Sequence, residues 1–165
     1  MRVLVAAASR HGATLEIAEA IGRVLEGEGV EVDVWPIDEV ETPAAYDACV
    51  LGSAVYVGSW LEAAREFVDA HAAELAARPT WLFSSCPIGD PSRPDAEHAV
   101  EIDEIFAKAG AREHHLFAGR LDKSLLGFGE RAVVLAFRAV EGDFRDWDEV
   151  ESWAREIADA LRAAT

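Results

Sequence analysis

The order of residues at the start of this chain limits the possible folds more than any other feature. Residues 3–8 form an apolar run that does not alternate with polar residues, residues 9–14 are polar and contain a glycine, and a helical pattern follows at once. An unbroken apolar run is typical of a strand that is buried on both faces, as in a parallel sheet. The sequence therefore predicts a buried parallel strand, a polar turn and a helix N-terminus.

The turn at residues 9–14 has the composition of a phosphate-binding loop. Free N–H groups and the helix dipole favour an anion there, Ser9 and Thr14 can donate hydroxyl hydrogen bonds, and Gly12 permits a positive φ. The turn has neither the G-x-x-x-x-G-K-[ST] nor the G-x-G-x-x-G pattern, which disfavours a nucleoside triphosphate and a dinucleotide. A monophosphate ligand remains, and the alternative is an ordinary turn in which Ser9 and Thr14 only cap the helix.

Strand and helix patterns alternate to the end of the chain. Strands are predicted at 2–7, 31–35, 47–52, 80–85 and 114–119, and helices at 13–28, 59–76, 95–109 and 147–163. The pairs Ser59/Glu62 and Asp146/Glu149 have the spacing of capping boxes and predict two of the helix starts. This alternation predicts an α/β fold with a doubly wound, five-stranded parallel sheet. A chain of 165 residues without a repeat or a linker is expected to form a single domain over residues 1–165.

A doubly wound sheet binds its ligand at the carboxyl ends of its strands, where the strand order reverses. The loops predicted at that edge are 8–14, 52–60, 84–94 and 119–124. Tyr56 or Trp60 can stack on a planar ring, and Gly58 lets the backbone approach a ring nitrogen. Together these loops predict a ligand that has a phosphate and a planar ring.

With these residues the chain resembles the flavodoxin-like proteins, whose ligand is FMN. The resemblance implies the strand order 2-1-3-4-5, a phosphate loop at 9–14 and flavin-ring loops at 53–58 and 84–90. The residues that it assigns to FMN are Ser9, Arg10, His11, Gly12, Ala13, Thr14, Ser53, Ala54, Val55, Tyr56, Val57, Gly58, Ser85, Cys86, Pro87, Ile88, Gly89 and Asp90. A closer resemblance, to the small quinone-dependent protoporphyrinogen dehydrogenases and related flavodoxin-domain proteins, is carried by residues 66–68 with His71, 117–119, 146–147 and 154–158.

Residues 121–145 make the connection before the last helix longer than in ordinary flavodoxins, and their amphipathic pattern predicts an extra helical segment. Within residues 120–138 four basic residues face only Asp122 and Glu130, and such a patch suits an anionic substrate or a peripheral membrane contact. The favoured interpretation is that the arginines point outward while apolar side chains pack on the sheet. Those apolar residues are Leu125, Leu126, Val133, Val134 and Phe137.

Charge and composition exclude several classes of partner. A formal net charge of −16 disfavours nucleic acid and anionic membrane surfaces. No stretch approaches the roughly 20 apolar residues of a membrane-spanning helix, and no signal peptide is evident, so a cytoplasmic protein is expected. Cys49 and Cys86 make neither a disulfide framework nor a metal cluster, and Cys86 is either a redox thiol or a turn residue. His71 is expected at the core or its rim, and His114 and His115 lack a metal-ligand spacing.

Three functions follow from these observations. The first is an FMN-dependent oxidoreductase that passes electrons from a porphyrinogen-like or other reduced substrate to a quinone. The second is a flavodoxin-type electron carrier whose acidic surface docks on a basic redox partner protein. The third is a flavodoxin-like interaction module without flavin. No catalytic acid or base is predicted in any of them.

Overall fold

The computed structural model describes residues 1–86, 101–136 and 141–165. Its strands are β1 (Arg2–Ala8), β2 (Glu31–Pro36), β3 (Ala48–Tyr56), β4 (Ser59–Trp60), β5 (Thr80–Cys86), β6 (Glu113–Ala118), β7 (Arg120–Leu121) and β8 (Gly142–Asp143). Its helices are α1 (Ala13–Gly27), α2 (Glu62–Ala76), α3 (Asp103–Ala109), α4 (Phe128–Ala136) and α5 (Trp147–Ala163).

The main sheet has the predicted doubly wound topology. Strands β2, β1, β3, β5 and β6 pair in that spatial order, and all four pairings are parallel. Counted along the chain, these five long strands have the order 2-1-3-4-5, so that prediction is confirmed. The order reverses between β1 and β3, where Ala8 lies beside Ser53. The carboxyl ends of β1, β3 and β5 therefore meet at one edge.

Apolar side chains on both faces of the sheet explain why its central strands are hydrophobic throughout. Every residue from Val3 to Ala8 is buried. One face packs against α1 and α5, which contribute Ile17, Ile21, Leu25, Trp153, Ile157 and Leu161, and the other against α2 and α3, which contribute Ala64, Val68, Leu75, Ile105 and Ala109. Burial of each large apolar side chain contributes about 1.5–3 kcal/mol, so these layers fix the sheet between the helices.

Two predicted boundaries around the second loop are wrong. Strand β3 runs past residue 52 to Tyr56, turns at Val57 and Gly58, which have φ of 51° and 78°, and pairs with β4. Ser59 therefore lies in a hairpin instead of capping α2, which begins at Glu62.

Two other predicted helix boundaries, the start of α5 and the end of α3, agree better with the structure than the predicted start of α2. The Asp146 side chain accepts a hydrogen bond from Glu149 N at 3.2 Å, which confirms the second capping box. Helix α3 covers the end of the helix predicted at 95–109, of which residues 95–100 lie outside the described residues.

The predicted extra helical segment is confirmed by α4, which follows β7 and precedes β8 along the chain, while β7 and β8 pair with each other as an antiparallel ribbon. Leu125 is 47% exposed and Phe128 is 94% exposed, so the prediction that Leu125 is buried on the sheet is wrong. Phe137 and the side chains of Val133 and Val134 lie outside the described part. Among the described residues, no helix has the length and hydropathy needed to cross a bilayer.

Candidate functional site

The polar turn after β1 adopts a conformation that suits a phosphate. Gly12 is the N-cap of α1 and has φ 86° and ψ −14°, a left-handed conformation that glycine adopts without strain. Ser9 Oγ accepts a hydrogen bond from Gly12 N at 3.0 Å and closes the turn. Because the N-cap residue has no side chain, it leaves the next amides of α1 uncapped. The predicted positive φ at Gly12 is therefore confirmed.

A cavity of about 80 Å³ lies beside this turn, at the carboxyl edge of the sheet. Nine of the predicted FMN-binding residues line it, namely Ser9, Arg10, His11, Ala13, Thr14, Ala54, Val55, Tyr56 and Ser85. The structure thus brings the predicted phosphate loop and part of both predicted ring loops together. The assignment of these residues to FMN stays a prediction.

The remaining predicted residues contribute to this site differently or fall outside it. Ser53 is fully buried, and its hydroxyl donates to Ala54 O and accepts from Leu61 N, so it holds the β3–β4 hairpin together. Val57 and Gly58 form the tip of that hairpin, where Val57 is exposed and Gly58 is half-buried, and Cys86 ends β5 in a half-buried position. Pro87, Ile88, Gly89 and Asp90 lie outside the described residues.

Trp60 does not face a ligand, because its ring is 1% exposed within the core. Its indole Nε1 donates to Ser84 Oγ at 2.8 Å, and His114 Nε2 lies 2.7 Å from the same oxygen. Burial, together with the neighbouring His115, lowers the pKa of His114 to about 4. The interpretation of Trp60 as a ring-stacking residue is wrong, which leaves Tyr56 as the aromatic residue at this cavity.

The segment after β6 supplies a second wall that the sequence only partly indicated. Arg120, Leu121, Asp122, Leu125, Leu126 and Glu130 all line the cavity. The loop predicted at 119–124 contains the first three of them, whereas the last three belong to the extra helical segment. The place of Leu125, Leu126 and Glu130 at this cavity depends on how the extra segment packs against the rest of the protein. The local sequence does not indicate that packing.

Glu130 connects α4 to the turn at residues 9–14. Its Oε1 lies 2.6 Å from Arg10 Nη1, its Oε2 lies 2.9 Å from His11 Nε2, and Gly127 N donates to Oε2 at 3.4 Å. Burial alone would raise the pKa of Glu130, but hydrogen bonds from His11 and Arg10 hold it below its ordinary value. The Arg10 guanidinium also lies 4.6 Å from the centre of the Tyr56 ring, a cation–π distance.

Two arginines attach the β7–β8 ribbon to the first turn of α1. Arg120 Nη2 donates to His11 O at 3.3 Å, and Arg120 Nη1 lies 3.4 Å from Glu16 Oε2. The Arg145 side chain is 5% exposed and lies 2.8 Å from Glu16 Oε2 and 2.7 Å from Asp143 Oδ2. The hydrogen bond to Asp143 raises the pKa of Arg145 although burial opposes it. Both arginines are thus paired with carboxylates, and these ion pairs hold the ribbon against the start of α1.

Two further histidines among the described residues, His71 and His115, have structural partners. His71 Nδ1 lies 3.1 Å from Glu74 Oε2, and its half-buried ring packs on Phe67, as predicted for a rim histidine. His115 Nε2 lies 2.9 Å from Glu149 Oε1, and its ring packs on Trp153. Within the described ranges, no group of three or more His, Cys, Asp or Glu side chains is arranged to hold a metal ion.

Comparisons with known proteins agree with this architecture. A chain that is 25% identical over 172 residues is the protoporphyrinogen IX dehydrogenase [quinone] of Escherichia coli (strain K12), and the match covers 96% of this chain and 95% of that protein. A flavodoxin from the domain Archaea superposes with a TM-score of 0.63 at 20% identity and covers 98% of this chain and 99% of its own. A flavodoxin of Streptococcus pneumoniae also has a TM-score of 0.63, at 17% identity, over 100% of both chains.

At these identities the solved structures support the fold alone. The family is shown by the sequence itself, because the family model described as "Flavodoxin domain" matches residues 4–148. That match includes the phosphate loop, β3, β5 and the segment that carries Glu130. The chain belongs to the flavodoxin domain family.

Proposed function

We propose that this protein binds FMN at the carboxyl edge of its sheet and acts as a flavin-dependent oxidoreductase. The observation that carries the proposal is the common cavity that joins the phosphate loop, with its left-handed Gly12, to Tyr56 and to Ser85 of β5. A ligand with a phosphate at one end and a planar ring at the other has the chemistry that these walls offer.

The residues present fit both ends of FMN. The uncapped amides at the start of α1, with the Ser9 and Thr14 hydroxyls, would hold the phosphate. Tyr56, Leu125 and Leu126 offer an aromatic ring and aliphatic side chains to the isoalloxazine. When bound, FMN supplies hydride or single-electron transfer through that ring. The chain itself would position the ring and shield one side of it from water.

A quinone-class acceptor is part of the proposal for two reasons. A relative that matches 96% of this chain is named as a quinone-using dehydrogenase. In addition, Leu125 at the cavity wall and Phe128 at the start of α4 are exposed apolar side chains near the site. An apolar acceptor would lose water on contact with such a surface, which favours its binding. The electron donor is proposed only as a reduced small molecule.

An electron carrier is the second candidate function, and the net charge of −16 favours it. A strongly acidic surface attracts basic redox partners and raises the rate at which they meet. The two functions differ in how the flavin takes up electrons. A carrier is expected to stabilise the one-electron stage of reduction, whereas a two-electron oxidoreductase has no need to do so.

The decisive experiment is to load the purified protein with excess FMN, remove the free flavin and record the visible spectrum during anaerobic reduction. Retained flavin supports the proposal, and protein that retains none contradicts both redox functions and favours the flavin-free module. Reduction in a single two-electron stage, with reoxidation by a soluble quinone, supports the oxidoreductase. Accumulation of the one-electron stage without reoxidation by quinone supports the carrier.

A further inference from the structure

The carboxylate of Glu130 contacts Arg10 and His11, two side chains of the predicted phosphate loop. Its two carboxylate oxygens lie 2.6 Å from Arg10 Nη1 and 2.9 Å from His11 Nε2. The Glu130 side chain is 16% exposed, so these contacts are partly shielded from solvent. Hydrogen bonds of this kind, with an ionised acceptor, are about twice as strong as neutral ones.

The same contact holds the 121–130 segment over the cavity. Gly127 N donates to Glu130 Oε2, and Leu125 and Leu126 of this segment form part of the cavity wall. The enclosed space is about 80 Å³, whereas pockets for small ligands measure about 300–1,000 Å³. Movement of this segment away from the loop would enlarge the cavity, and that movement requires the Glu130 contact to break.

The charges give the direction of that movement. A phosphate on the amides of residues 10–14 would face the same two side chains, Arg10 and His11, that contact Glu130. A phosphate dianion and a carboxylate a few ångströms apart repel each other, more strongly in a partly buried site than in water. Arg120 donates to His11 O at 3.3 Å, so a further cationic side chain lies beside the loop.

We propose that Glu130 is a latch: its carboxylate competes with the ligand phosphate for Arg10 and His11, and phosphate binding releases the 121–130 segment from the loop. This inference rests on the proposed function, because it takes the ligand to be FMN. It makes Glu130 a residue that lowers affinity for the phosphorylated flavin. It also makes opening of the segment a consequence of phosphate binding.

The test compares FMN and riboflavin, which differ only in the phosphate, by fluorescence titration of wild type, Glu130→Gln and Glu104→Gln. Glu104 is a matched control because it has the same charge, lies on α3 and pairs with Lys108 at 2.7 Å. Glu130→Gln is expected to bind FMN about tenfold more tightly, or about 1.4 kcal/mol, with a much smaller change for riboflavin. Glu104→Gln is expected to match the wild type with both flavins.

Hydrogen–deuterium exchange gives a second readout that needs no flavin. Glu130→Gln should speed exchange of the α4 amides while those of α5 remain as in the wild type, and Glu104→Gln should change neither. Unchanged α4 exchange, or FMN binding by Glu130→Gln that is equal to or weaker than that of the wild type, would overturn the latch. Both of those results leave FMN binding itself intact. Failure of every variant to bind FMN refutes the proposed function instead.

Discussion

Gly12 is the residue whose backbone conformation is most demanding at this site. Its φ of 86° lies in the left-handed region, and a Cβ built there would meet nothing within 4 Å. The cost of Gly12→Ala is therefore backbone strain of about 1–2 kcal/mol and not a steric clash, offset in part by a stiffer unfolded chain. We expect the free energy of unfolding in urea to fall by about 1 kcal/mol, and FMN affinity to fall with it.

Gly27→Ala is the matched control for that measurement. Gly27 ends α1 with no positive φ, and its Cβ would also meet nothing within 4 Å. Because alanine favours the helix over glycine, this variant should be neutral or slightly more stable. Equal stability of Gly12→Ala and Gly27→Ala would show that the left-handed turn is not needed.

His114 makes the stability of the fold depend on pH. Its pKa in the folded protein is about 4 against an ordinary value of 6.5, first because burial disfavours the charged ring and second because His115 lies nearby. The unfolded chain therefore binds more protons between these values, so stability is lost as pH falls from 6.5 to 4. Because solvent screens this partly exposed ring, we expect the free energy of unfolding to fall by about 2 kcal/mol over this pH range.

Urea unfolding of wild type and His114→Gln across that pH window isolates this contribution. The variant has no group to titrate at this position, and its amide can still form a hydrogen bond with Ser84 Oγ. Its stability should therefore fall less steeply with acid than that of the wild type. Parallel pH profiles for the two proteins would refute the assignment to His114.

At the scale of elements, the β3–β4 hairpin shows where local sequence patterns are insufficient. Gly52 suggested the end of a strand, and Ser59 with Glu62 suggested a helix cap. In the structure Gly52 lies inside β3. A glycine is needed at that position because the ring of Phe83 on the adjacent strand occupies the space that a Cβ would need. That requirement comes from a residue distant in sequence. The five parallel strands and α5, by contrast, were predictable because their own apolar patterns specify them.

The β7–β8 ribbon depends on Arg145, which bridges it to α1. Lysine keeps the positive charge but cannot reach Glu16, Asp143 and Ala13 O together as the guanidinium does. Arg145→Lys is expected to lower the free energy of unfolding by about 2 kcal/mol, the scale of a charged hydrogen bond, and to speed amide exchange in the ribbon.

Arg155→Lys is the control, because Arg155 forms an exposed pair with Glu151 on α5 and should change stability by less than about 0.5 kcal/mol. Similar losses in the two variants would contradict a bridging role for Arg145.

At the scale of the whole molecule, the sequence predicted the doubly wound sheet and the position of the turn at residues 9–14 at its edge. It did not predict that Leu125, Leu126 and Glu130 form the opposite wall of the cavity. A local pattern specifies that α4 is amphipathic, but not which surface it covers, because that depends on contacts such as those of Arg10 and His11. Most of the described site is thus determined by the fold, and the remainder by tertiary contacts of the extra segment.

The acidic surface makes a prediction that separates the two proposed functions. The FMN-loaded, reduced protein can be mixed in a stopped-flow instrument with a neutral soluble quinone or with a basic one-electron acceptor protein, at rising ionic strength. With a net charge of −16, attraction to the basic protein is screened within about 10 Å at 0.1 M salt, so that rate should fall steeply. The rate with the neutral quinone should stay constant because no long-range attraction contributes to it.

An oxidoreductase is expected to reduce the quinone rapidly at every salt concentration. Fast, salt-sensitive reduction of the basic protein together with slow reduction of the quinone would contradict the oxidoreductase and favour the carrier.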